Sequence, residues 1–254
     1  MDSVLDFHAL RALLEWQMEL GADEAIGDTP VNRYEVQAKP PEAAPALPME
    51  APGQREEGGA VAAARKAAGA ACDLDALRAA LGRYEHCELK RGARNLVFSD
   101  GVPGARVMII GEAPGREEDR AGKPFVGQAG QFLDRMLAAI GLSRDRNVYI
   151  TNVVPWRPPQ NADPTREEID MMRPFLERHV ALAAPELLIV MGNISCQAVL
   201  DTRGITKLRG QWHEAWGRPV MPMFHPAYLL RAPSAKRETW ADLLEVQARL
   251  RESA

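Results

Sequence analysis

The sequence predicts a three-layer α/β/α protein with a four-stranded, mainly parallel sheet, preceded by an N-terminal helix and a disordered linker. Three observations carry this. Short apolar runs at residues 106–111, 147–154, 186–191 and 218–223 read as buried strands. Helical patterns separate them, which is the alternation of a parallel sheet covered on both faces. Ahead of them, residues 39–58 turn into Pro, Ala, Glu and Gly, a mixture that cannot bury enough apolar surface to offset its ordering entropy.

Taken in order, residues 6–20 place Phe7, Leu10, Leu14 and Met18 at helical spacing. That helix either packs on the main domain or docks a partner. The N-terminal acidic segment spans 1–38 and the linker 39–71, with the alanine-rich stretch 60–71 helical at its margin; the compact domain spans 72–254. Asp73 or Asp75 caps a helix carrying Leu74, Leu77, Leu81 and Tyr84. The first strand, 106–111, ends in glycine. A helix over 132–140 and a strand over 147–154 follow. Asp163-Pro164 starts a helix, acid as cap and proline at the first position, running to about 182. The strand 186–191, a helix 195–200, the strand 218–223 and a helix 238–249 complete the chain.

With 254 residues, 46% of them hydrophobic, the chain can bury a sizeable core. No apolar run approaches the ~20 residues of a membrane span, and no basic, then apolar, leader opens the chain. Cys72, Cys87 and Cys196 are too few and scattered for a disulfide framework. The expected setting is cytoplasmic, a bacterial-type cytosol with its nucleoid, with no membrane partner. Residues 1–64 hold 12 acidic and 4 basic side chains, a net −8, leaving a net +4 on the rest. An acidic arm on a mildly basic body is compatible with a nucleic-acid partner.

Polar residues follow three of the four strands directly. After the first comes Gly111-Glu-Ala-Pro-Gly115 and then Glu117-Glu-Asp119; the second ends in Thr151-Asn152; the fourth runs into His225-Pro-Ala-Tyr-Leu-Leu-Arg231. In a parallel sheet these converge on one crevice outside the carboxyl ends of the strands. The set suits a polar heterocycle and a developing anion. Gly111 and Gly115 are not spaced as a dinucleotide or phosphate loop.

With Gly122-Lys-Pro-Phe-Val-Gly127, Tyr149-Ile-Thr-Asn-Val-Val154, Arg157-Pro-Pro159 and Leu208-Arg-Gly210, these motifs resemble the family 4 uracil-DNA glycosylases over about residues 72–250. The resemblance implies a four-stranded parallel sheet between helices and excision of uracil from DNA, the start of base excision repair, by a monofunctional, monomeric enzyme. It further implies that Phe125 stacks on the extruded base, Asn152 bonds its Watson–Crick edge and His225 stabilises charge on O2. Gly111 and Ala113 join the substrate-binding set, Leu229 wedges into the vacated stack and Arg231 meets phosphate. Glu112 positions water; Glu118 competes for that role or shields the base C5 position. The alternative is a catalytically weak protein that binds uracil or abasic DNA and recruits partners through its N-terminal arm.

The family's four-iron, four-sulfur cluster is held by four cysteines. Here Cys87 alone stands at those positions, with Tyr84, Trp156 and Met172 at the others. The sequence-based expectation is therefore no cofactor and no metal ligand, packing having filled the cluster's place. A covalent uracil-trapping relative carries a histidine in a basic insertion beside Leu-Arg-Gly; residues 204–210 have neither, so simple turnover is expected.

Overall fold

The computed structural model describes residues 57–252. The helix expected at 6–20, the acidic segment 1–38 and the linker up to 56 lie outside the described residues. In chain order the elements are α1 (Glu57–Gly69), α2 (Leu74–Arg83), α3 (Leu89–Gly92), β1 (Asp100–Gly101), β2 (Val107–Gly111), α4 (Arg116–Ala121), α5 (Gln128–Ala139), β3 (Val148–Asn152), α6 (Arg166–Ala183), β4 (Leu187–Met191), α7 (Asn193–Leu200), α8 (Ile205–Leu208), β5 (His213–Ala215), β6 (Arg218–Met223), α9 (Pro226–Arg231) and α10 (Lys236–Glu252). Short 3-10 turns cover Pro159–Asn161 and Pro233–Ala235.

The sheet has six strands in the order β1-β3-β2-β4-β6-β5, not the expected four. The four expected strands form its parallel centre. Each edge adds a two- or three-residue antiparallel strand, β1 on β3 and β5 on β6. Neither has an apolar alternation to betray it. Along β2, Met108 and Ile110 enter one buried cluster while Val107 and Ile109 enter the other. On β4, Leu188 and Val190 part from Leu187, Ile189 and Met191 in the same way. This period of two is what a strand buried on both faces requires. One layer is built on α1, α2, α6 and α7, the other on α5, α9 and α10.

Residues 57–69, inside the stretch read as linker, are helical and belong to the core, which corrects that boundary. Ala64, Ala68 and Ala71 are buried, and α1 packs along α6. Alanine favours the helix and lets the two backbones approach closely. Tyr84 ties the layer down, its hydroxyl donating to the Ala60 carbonyl at 2.8 Å. Asp73, not Asp75, caps α2 by accepting the Ala76 N–H at 2.7 Å. Asp163 does not cap α6. Thr165 does, in a reciprocal capping box with Glu168, and Asp163 stands two residues outside. No helix among the described residues is long and apolar enough to cross a membrane.

Candidate active site

Strand β2 has β3 on one side and β4 on the other, so the chain reverses direction across the sheet there. Ligands bind parallel sheets at such switch points. A cleft of about 430 Å³ opens there, lined by Glu112, Phe125, Asn152, Asp163, His225 and Arg231, with Ala113 in its wall. A larger groove of about 820 Å³ lies between α1 and α6 beside Trp216, but it holds none of the residues singled out above. Chemistry therefore points to the smaller one.

Asn152 ends β3 directly opposite Gly111 on β2. The residue is 6% exposed, and its amide, open to the cleft, has no hydrogen-bond partner among the described residues. Gly111 lies beneath the cleft and shapes it. A Cβ there would sit 2.5 Å from Asn152 Oδ1 and 2.5 Å from the Phe125 ring.

Phe125 adopts a left-handed backbone, φ 53°, uncommon for a bulky residue. Its neighbours hold it in place. A Cβ on Gly130 would lie 1.9 Å from the Phe125 carbonyl oxygen. That oxygen accepts from Arg144 at 2.7 Å, and Pro124 O accepts from the same guanidinium at 3.2 Å. Asp100 and Asp134 fix Arg144 in turn, at 2.8 and 2.9 Å.

The two candidate carboxylates separate cleanly. Glu118 Oε2 accepts the Gly115 N–H at 3.1 Å, and Oε1 accepts those of Val126 and Gly127 at 3.0 and 2.8 Å. It staples one wall of the cleft to the Phe125 loop, so both its oxygens are occupied. Glu112 makes no such backbone bonds. Burial first, and the Asp163 carboxylate second, push its pKa up to about 7, while Arg203 pulls the other way. Asp119, next to Glu118, is buried and accepts the Arg94 and Asn95 N–H groups at 2.8 and 3.2 Å, a loop anchor.

His225 caps α9. Its Nδ1 accepts the Ala227 N–H at 3.2 Å, which puts the ring proton on Nε2. Burial, aided by Arg231, pulls its pKa down to about 4, so the ring is neutral near pH 7. Its centroid lies 5.5 Å from that of Phe125.

Leu229 does not reach the cleft. It is fully buried in the layer with Leu133 and Met223, which corrects its expected role as a wedge. Tyr228 and Leu230, either side of it, are each 41% exposed. The Leu208-Arg-Gly210 motif is a brace: Arg209 bonds the buried Asp242 carboxylate on α10 and lies over the Phe224 ring. Sequence reasoning missed Asp163, taken for a helix cap, and Arg144, which stands 19 residues past the loop it supports.

Tyr84, Cys87, Trp156 and Met172 are all buried in one apolar cluster. They offer one thiol, and no group of three or more His, Cys, Asp or Glu among the described residues is placed to hold a metal ion. These four side chains do not fit a four-thiolate cluster, and no step below is routed through one.

Residues 98–244 match the profile of the uracil DNA glycosylase superfamily. The type-4 uracil-DNA glycosylase of Archaeoglobus fulgidus is 37% identical over 169 residues, 63% of this chain and 84% of that protein. Its Thermotoga maritima counterpart is 40% identical over 149 residues, 57% and 77% of the two chains, and that of Pyrobaculum aerophilum 36% over 180, 67% and 91%. This likeness overturns the expectation of a protein without a cofactor. The relatives are type-4 proteins, the family whose four-cysteine iron–sulfur cluster is named above.

Proposed function

Since this chain belongs to the family 4 uracil-DNA glycosylases of the uracil DNA glycosylase superfamily, we propose that it extrudes uracil from DNA into the cleft at β2 and hydrolyses its N-glycosidic bond. The observation that carries this is the unpartnered Asn152 amide facing the same cleft as the Phe125 ring and the neutral His225. A base within a duplex is inaccessible, and flipping it out costs a few kcal/mol. Phe125 stacks on the extruded ring. The Asn152 amide bonds uracil O4 and N3–H, a pattern that mismatches the amino group of cytosine.

The C1′–N1 bond breaks with its electron pair going to the base, and His225 Nε2–H donates to O2 as that charge grows. A neutral donor suits this task, since it need not surrender its proton. Glu112 orients the water whose oxygen bonds C1′, accepts a proton from it and steadies the cationic sugar. Arg231 meets a flanking phosphate. Leu230, exposed on α9, takes the wedge role in place of Leu229.

Uracil-containing single- and double-stranded oligonucleotides, followed by alkali cleavage of abasic sites, test this. Strand scission is expected. Binding without scission supports the recruiting alternative, and neither binding nor scission sinks both. With the same substrates, Leu230→Ala slows excision more from duplex than from single strands, because a single strand has little stack to reopen. Leu229→Ala instead lowers stability by about 2–5 kcal/mol without changing the substrate preference.

Water orientation requires ionised Glu112, so the single-turnover rate should climb about tenfold per pH unit up to about 7 and flatten above. Asp163→Asn removes one of the two causes that raise the pKa. The limb then moves to lower pH, by less than the full displacement because burial remains. A limb that persists in Glu112→Gln would assign it to another group.

A further inference from the structure

On the reading that the cleft takes a nucleotide out of DNA, we propose that Arg231, Lys236 and Arg135 form a phosphate track carrying the strand away from the cleft across α9, α10 and α5. Arg231, at the end of α9, lines the cleft. The chain then makes one 3-10 turn, Pro233–Ala235, and delivers Lys236 as the first residue of α10. From the other side, Ala129 is in the cleft wall, and Phe132 and Arg135 follow at intervals of three along the same face of α5. The two routes meet at one ring. Lys236 Nζ lies 5.1 Å and Arg135 Cζ 5.6 Å from the Phe132 centroid.

Two exposed like charges on one ring repel each other, and the ring's negative face offsets only part of that. The nearby acids do not help. Asp134 is turned to Arg144 and Glu238 to Arg209. Among the described residues, none of Arg135, Arg231, Lys236 or Arg237 has a carboxylate within ion-pair distance. Lys236 and Arg237 also open a 17-residue helix, the end at which the helix dipole disfavours cations. Folding alone gives no reason to gather these charges here. A phosphodiester backbone does, and it is the anion that any nucleotide entering the cleft brings with it.

The test measures how affinity for a uracil-free duplex falls with salt, by fluorescence anisotropy of a labelled oligonucleotide. Each lost phosphate contact should flatten the log–log slope by about 0.9. Arg135→Gln with Lys236→Gln should therefore flatten it by roughly 1.8, with an unchanged thermal melt. Arg251→Gln, near the far end of α10 and about 22 Å away at 1.5 Å per residue, removes the same kind of charge and should leave the slope alone. An unchanged slope in the double variant overturns the track, as does an equal loss per charge in Arg251→Gln, which would reflect net charge only. Excision by the parent protein is scored separately. Scission with a track-independent slope removes the track and keeps the function, while a track-dependent slope without scission does the reverse.

Discussion

His225→Ala should lower the single-turnover rate of uracil excision by about 10²–10³-fold, the usual loss on removing one preorganised donor to a developing oxyanion. Its backbone cap fixes the tautomer, and burial keeps the ring uncharged. Binding of the substrate should change far less, since the O2 charge develops only as the bond breaks. Asn152→Ala should show the converse, weaker recognition with a smaller fall in the chemical step. Parent-like rates in both variants would remove the site assignment. Because His225 also caps α9, a thermal melt of each variant must accompany the kinetics.

Trp156→Ala should destabilise the protein by about 3–5 kcal/mol, the range for truncating a buried aromatic. Trp156 is 3% exposed and lies in the same apolar cluster as Tyr84, Cys87 and Met172. Just before Trp156, the Pro155 carbonyl accepts the Val97 N–H at 2.9 Å. Only three residues separate Trp156 from Asn152, so the cavity left behind should also loosen the Asn152 amide. Urea unfolding at pH 7 measures the first effect. A loss below about 1 kcal/mol would mean that the site collapses well, or that the ring carries little of the packing.

What the sequence made legible follows from which signals are local. The central strands are apolar runs long enough to stand out, and the layers follow from their alternation with helices. The edges β1 and β5 exist only because β3 and β6 offer unpaired backbone, which no pattern in Asp100–Gly101 or His213–Ala215 announces. Glu112 and Glu118 look equivalent in sequence. They differ because the Phe125 loop folds back and places three N–H groups on one of them. The pair Leu229 and Leu230 is a question of helix phase, decided by how α9 packs on α5. Asp163 was misread because the proline after it mimics a helix start, whereas Thr165 with Glu168 is the stronger capping signal.

The left-handed Phe125 has a consequence for selectivity. A backbone in that region costs on the order of 1–3 kcal/mol, and here Gly130, Arg144 and the carboxylates that hold Arg144 impose it before any ligand arrives. The backbone that carries the ring is thus set in place before a guest arrives. On the proposed reading, discrimination among bases would rest on the fit to a slot whose Phe125 backbone is already in place, with no closure of that loop required.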